Sequence, residues 1–304
     1  MDIATGCFGK LPAHGDFLRL LPPGIAAPDR LVDGWFQAAG LDQTRHPDRA
    51  AAFAAAAPAF ALVPHQGRWW ALASFPSQDA VGRQHPFTVA AGISAFGMDE
   101  EVGLLPILFA PFFQAAYARH LGGWPATPDA LAAACRELTA GVDEAGAQAA
   151  LVAGLESTTQ GALWGSLLGD PLHPGRAGVL AMLAAPPPRM LRISPLVHQM
   201  PLAFVLMAVQ LIHGAEGAPA LIAMLATAPG SAAVLYGQPR PEACTAALWP
   251  GLAPASFHEG ACDLAAGRAS GAGELAALGD GRDSLRDLLH RLVAARRTHV
   301  YRRR

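Results

Sequence analysis

Apolar residues in the first third of the chain change their spacing several times, and each change marks an element. From Pro28 to Gly40, Leu31, Val32, Trp35, Phe36 and Ala39 recur at one, three and four, which predicts an amphipathic helix that carries Trp35 to the core. Two short apolar or aromatic runs follow, Ala59 to Val63 and Trp69 to Ser74, separated by Pro64-His65-Gln66-Gly67, and read as a hairpin with a four-residue turn. Thr88 to Ser94 supplies a further strand after Pro86. The polar stretch Ser77 to Pro86 therefore lies on a connection between two strands, a place where a scaffold commonly displays functional side chains. Leu104 to Leu121 reads as a helix interrupted near Pro111, and Pro128 to Ala140 as another.

Beyond Gly141 the pattern becomes more helical and richer in alanine. Helices are expected near Ala145 to Leu155, Ala177 to Ala185, Pro201 to His213 and Pro219 to Ala228, with short strands at Met190 to Ile193 and Ala232 to Tyr236. Gly251 to Gly281 has weak periodicity and much Gly, Ala and Ser, which suits a flexible loop. A final helix carries the stripe Leu285, Leu288, Leu289, Leu292 and Val293. Asp283 or Ser284 can cap its start, and Arg296 and Arg297 suit the negative end of its dipole before the basic tail Arg302 to Arg304. The expected divisions are a core over 1–140 holding both polar motifs, a helix-rich continuation over 141–250, the flexible segment 251–281, and the terminal helix and tail over 282–304. Strands and helices alternate in the first half, so an α/β or α+β sandwich is favoured over a helical bundle.

Composition narrows the function classes. The chain has 304 residues, 52% hydrophobic and 15% charged, ample for a packed core. With 22 basic and 24 acidic side chains the formal charge is −2, so no global field gathers nucleic acid or anionic lipid. The longest apolar runs, Val102 to Ala110 and Leu202 to Ile212, fall short of the roughly 20 residues a membrane span needs and read as core, so no membrane insertion is expected. Met1-Asp2-Ile3-Ala4-Thr5 lacks the basic start and apolar stretch of a secretory signal, so a cytoplasmic protein is expected. Cys7, Cys135, Cys244 and Cys262 lie far apart with no C-x-x-C pair, which suggests reduced thiols and neither a zinc site nor a disulfide framework.

Two polar clusters remain. The first, Gly6 to Phe17, contains Lys10, the only lysine of the protein, with Gly9, Pro12, His14, Gly15 and Asp16. A phosphate loop would need G-x-x-x-x-G-K-[ST], but only two residues separate Gly6 from Gly9 and Leu11 follows the lysine. Gly9, Pro12 and Gly15 more simply shape a bend from strand to loop, with Asp16 bonding nearby amides and Phe17 anchoring the loop. His14 and Asp16 could share one face of a strand as a base with its carboxylate or as metal ligands, and His65 and His85 could join through folding. No H-x-E, H-E-x-x-H or second aspartate cluster marks the further ligands a metal requires, so neither metal nor cofactor is expected. In the second cluster, Asp79 and Arg83 are four apart and can pair, with Gly82 shaping the backbone between them. Alternatively, Arg83 presents its planar fork to a carboxylate or phosphate on a partner. Ser77 lacks the G-x-S-x-G elbow of a nucleophile and suits a cap or turn. Trp69 and Trp70 could stack on a ligand, but the sparse basic residues around them favour core packing.

Together, Gly9-Lys10-Leu11-Pro12-x-x-Gly15-Asp16-Phe17 and Ser77-x-Asp79-x-x-Gly82-Arg83-x-x-Pro86-Phe87, with Trp35 between them, resemble the TagF/ImpM family of type VI secretion accessory proteins. The resemblance covers roughly residues 6 to 120 well and the rest loosely. It implies a three-layer α/β/α sandwich around a mixed or antiparallel sheet, with a helix-rich C-terminal elaboration and a late strand whose counterpart here is Val234-Leu235-Tyr236. It also implies a noncatalytic regulator that restrains apparatus assembly or firing after translation, acting through the forkhead-associated scaffold protein of the system and opposite a threonine-phosphorylation branch. Lys10, His14, Asp16, Ser77, Asp79 and Arg83 form the expected partner-binding patch, on a backbone set by Gly9, Pro12, Gly15 and Gly82. The longer, divergent C-terminal half leaves room for an added partner site. Two rival classes stay open: a hydrolase or phosphatase built on His14, Asp16, Asp79 and Arg83, and a small-molecule sensor with a pocket beside the two motifs.

Overall fold

A computed structural model describes residues 2–26, 28–38, 47–94, 101–168, 170–172, 176–193, 199–225, 231–252, 261–263 and 282–302. Its centre is one nine-stranded sheet, in the order β2-β1-β5-β4-β3-β7-β8-β6-β9. The strands are β1 (Ala4–Gly9), β2 (Leu18–Leu20), β3 (Ala59–His65), β4 (Arg68–Phe75), β5 (Phe87–Ser94), β6 (Met190–Ile193), β7 (Pro219–Leu225), β8 (Ser231–Tyr236) and β9 (Ala261–Asp263). All neighbours run antiparallel except β9, which lies parallel to β6.

Both faces of the sheet are covered, and side-chain alternation sorts residues between them. On β4, Trp69, Ala71, Ala73 and Phe75 enter one buried cluster, while Trp70 and Leu72 enter the other. The second face is covered by α1 (Asp29–Ala38), α2 (Pro47–Ala54) and α10 (Pro241–Leu248), which contribute Trp35, Phe36, Phe53 and Leu248. The first face carries α3 (Leu105–Leu108), α4 (Ala110–Gly122), α5 (Pro128–Glu137), α6 (Glu144–Ser157), α7 (Gln160–Leu168), α8 (Arg176–Ala184), α9 (Gln199–His213) and α11 (Leu285–Arg302). The molecule is thus the expected α/β sandwich with a helix-rich C-terminal region. Strand β3 pairs with β7, so the two halves of the chain share one sheet.

Helix ends follow local chemistry. Thr127 and Asp143 cap α5 and α6 by accepting backbone amides. Ser284 caps α11 reciprocally: its hydroxyl accepts from the Asp287 amide, and the Asp287 carboxylate accepts from the Ser284 amide. The expected break near Pro111 falls at Phe109, between α3 and α4. Two helical stretches, Val102–Gly122 and Gln199–Gly217, are long and apolar enough to cross a membrane by length and composition, but 56% of each apolar window is buried inside the protein.

Some expectations need correction. The segment expected as a helix from Pro219 to Ala228 forms β7 as far as Leu225; the remainder lies outside the described residues. Slotted between β3 and β8 with both faces covered, it shows the unbroken apolar run of a fully buried strand, which periodicity alone does not separate from a helix. The β3–β4 turn is only Gln66-Gly67, because Pro64 and His65 pair with Trp69 and Arg68. Proline is tolerated at position 64 because pairing with β7 stops at Leu62. The loop expected over 251–281 contains β9 and the last residues of a short helical turn, Pro250–Leu252, and residues 253–260 and 264–281 lie outside the described residues. Helices α2, α7 and α10 were not anticipated. The side chains of Arg296 and Arg297 and the end of the basic tail also lie outside the described residues.

Candidate functional site

The two motifs meet because β1 ends where β5 begins. Phe8 pairs with Thr88, so the chain leaving Gly9 passes directly over the chain arriving through Pro86. Gly9 has a φ of +114°, and a Cβ there would stand 2.0 Å from the Pro86 carbonyl oxygen, so only glycine fits this crossing. The loop from Lys10 to Phe17 then lies against the loop from Pro76 to Pro86. A backbone bond fastens them, the Ala80 amide donating to the His14 carbonyl at 2.9 Å, and within the first loop the His14 amide donates to the Leu11 carbonyl at 3.0 Å.

Asp79 is the hub. Its side chain is fully buried, its Oδ1 accepts from the amides of Val81 at 3.1 Å and Arg83 at 2.8 Å, and its Oδ2 meets Arg83 Nε at 2.6 Å and Lys10 Nζ at 3.3 Å. Burial alone would push this carboxyl up, but the Arg83 backbone and side-chain bonds and Lys10 outweigh it and hold the pKa down to about 2. The second loop closes as a small hairpin, with the Asp79 amide on the Arg83 carbonyl, the Gly82 amide on the Asp79 carbonyl and a bridge between Gln78 and Gln84. Gly82, at φ +86°, supplies the left-handed residue that the turn needs.

Arg83 spans both loops. While Nε holds Asp79, Nη2 donates to the Gly15 carbonyl at 2.7 Å and to Asp16 Oδ1 at 3.2 Å. About half of the Arg83 side chain remains exposed, and that of Asp16 is 95% exposed. Gly15 has open space where a Cβ would be and contributes its carbonyl to this bond, whereas Ser77 contributes its carbonyl to the His85 amide. Phe17 does not anchor the loop by the full burial expected of it: it stays 41% exposed and meets His85 edge to face, with ring centroids 4.9 Å apart. On the second loop, Val81 is 71% exposed.

Lys10, Asp16, Asp79 and Arg83 are therefore drawn together, with the His14 backbone beneath. His14 does not pair with Asp16 in the described contacts, and its buried Nε2 has no hydrogen-bond partner. Among the described residues no three His, Cys, Asp or Glu side chains form a group able to hold a metal. His85 is buried instead as a structural tie: its Nδ1 is 2.8 Å from the Pro86 carbonyl, its Nε2 is 3.4 Å from Asp33 on α1, and its ring lies against Phe36. Desolvation lowers its pKa, so it is neutral near pH 7. Sequence reasoning missed this anchoring role, as well as Gln84, which donates to the Ala50 carbonyl at 3.0 Å and connects the second loop to α2.

Residues 6–136, a span that includes both loops, match the model of the TagF N-terminal domain, described as type VI secretion system-associated. The chain thus carries a TagF N-terminal domain over this stretch. It is a type VI secretion system-associated protein on that ground, and the domain match takes in β1 to β5 and ends within α5. The solved crystal structure of PA0076 from Pseudomonas aeruginosa PAO1 is similar at 24% identity and a TM-score of 0.35, over 45% of this chain and only 62% of that one. No curated protein matches the chain.

Proposed function

We propose that this protein is a noncatalytic, post-translational negative regulator of the type VI secretion apparatus, working by docking a protein partner on the joined loops. The observation that carries the reading is the division of labour within the motifs. Asp79 is buried and saturated by Lys10, Arg83 and two amides, a state that suits a fastener and not a nucleophile or base. What the fastened loops leave outward is a mixed set: Asp16 and part of Arg83, with the exposed side chains of Phe17 and Val81, their near neighbours in sequence. Exposed apolar side chains together with charged groups are a combination that protein interfaces use.

The forkhead-associated scaffold protein of the secretion system is the partner we assign, from the family resemblance of the motifs, and the cytoplasm is the compartment where the two would meet. The test is capture of that purified scaffold by wild type and by Asp16→Ala, Val81→Glu and Arg83→Ala variants with wild-type melting behaviour. Loss of capture in the folded variants is expected. Full capture by all three refutes docking on this face, and phosphoester turnover by the purified wild type refutes the noncatalytic assignment.

A further inference from the structure

Behind the motif loops lies an open cavity of about 550 Å³, whose walls include Leu11, Pro12, Phe75, Gln84, His120 and Trp124. It lies where four separate segments converge: the loop after β1, the end of α2, the β4–β5 connection and the turn after α4. That volume lies within the roughly 300–1,000 Å³ range of small-molecule sites and exceeds the space of one docked side chain.

The wall chemistry is specific. The His120 ring stacks on Phe75 with centroids 4.2 Å apart and 17° between planes, and Trp124 stands 4.9 Å from Phe87 and 5.9 Å from Phe75. Among the described residues no Asp, Glu, Lys or Arg lines the cavity. Gln84 Oε1, His120 Nδ1 and Trp124 Nε1 are buried polar atoms of residues that line the cavity, with no hydrogen-bond partner among the described residues. An indole N–H can only donate and an amide oxygen can only accept, so the walls hold unmet capacity of both kinds. A charged ligand would lose its hydration there without an opposite charge in return, whereas a flat neutral one would meet aromatic faces.

We infer that this cavity is a binding site for a neutral, planar small molecule whose edge carries both a hydrogen-bond donor and an acceptor, of the aromatic amide or pyrimidine-dione kind. Ser77, Gln78 and Gln84 contribute to its lining and also form the base of the Asp79–Arg83 hairpin. A bound molecule therefore braces the loop that presents Arg83.

The test follows the tryptophan indole N–H signals of the 15N-labelled full chain by NMR. Trp124→Phe identifies the Trp124 signal among the six tryptophans. Benzamide and uracil serve as neutral probes, each titrated to about 10 mM, a range suited to ligands of this size. A saturable shift of the Trp124 signal with at least one probe is expected. Benzoate should bind at least about tenfold more weakly than benzamide, as an uncompensated charge demands. Ala13→Trp and Ala54→Trp, at exposed rim positions, should each weaken binding by at least about tenfold while the other indole signals keep their places, as filling a pocket demands. No shift with either neutral probe, equal binding of benzoate, or unchanged binding in both rim variants overturns the inference.

Discussion

Replacing Gly9 with alanine tests the crossing that joins the two motifs. The new Cβ would lie 2.0 Å from the Pro86 carbonyl oxygen and 2.9 Å from the Phe87 Cα, both backbone atoms that cannot rotate away. An ordinary carbon–oxygen contact is about 3.3 Å or more, so the two chains must separate by over an ångström there. The φ of +114° adds strain of about 1–3 kcal/mol for a residue with a side chain. Overpacking of a fixed neighbour adds a further ~1–3 kcal/mol, giving a loss of about 2–6 kcal/mol. For a domain of this size each kcal/mol lowers Tm by roughly 2–4 °C, so the variant should melt at least about 4 °C below wild type. Gly15→Ala is the internal control, because a Cβ there meets nothing within 4 Å and the residue has no left-handed φ. Scanning calorimetry of the three proteins decides the matter. A Gly9→Ala variant that melts with wild type, or a Gly15→Ala variant that falls equally far, would refute the steric reasoning.

Two further outcomes follow from buried polar groups. Asp79 ionises at about 2 in the folded protein against an ordinary 3.8, so its ionisation stabilises the fold above the ordinary value and that contribution is lost as pH falls through 2; the stability gap between wild type and Asp79→Asn, followed by denaturant melts, should be constant near neutrality and narrow between about pH 4 and 2. A gap that stays constant through that range would show that the carboxylate is not held by Arg83 and Lys10. Thr245, fully buried on α10, donates to the Trp35 carbonyl at 2.5 Å and contacts the Pro241 carbonyl at 3.0 Å, so Thr245→Val, which keeps the shape and removes the donor, should cost about 1–3 kcal/mol in urea unfolding, and a neutral result would disconnect α10 from α1.

The motifs were legible because their residue types are rare in a chain of alanine and leucine, and because Asp79 and Arg83 are close enough in sequence to pair unaided. Helices with one apolar stripe, such as α1 and α11, were legible for the same local reason. What escaped depends on distant partners. Strand β7 carries no stripe or alternation, since both of its faces are buried, Leu221 and Ala223 in one cluster and Ile222 and Met224 in the other, while its sheet partner β3 comes from the first quarter of the chain. Phe17 reads as an anchor by type, yet its ring sits at the rim, because His85 and Phe36 already fill the space behind it. The cavity walls were invisible for a similar reason: Phe75, His120 and Trp124 come from β4, α4 and the turn that follows, and no spacing rule links them.

The β3–β7 seam has a consequence during synthesis. Strand β3 is complete by His65, but its partner β7 starts only at Pro219. At about 5–20 residues per second, the ribosome needs on the order of ten seconds or more to deliver that partner. For that interval the nascent chain carries an apolar strand whose outer row of amides and carbonyls is open to any other extended segment. The C-terminal half thus acts as the cover for a hazard that the N-terminal half creates on emerging first, and slowing translation after residue 65 should increase aggregation of nascent chains more than slowing it after residue 225.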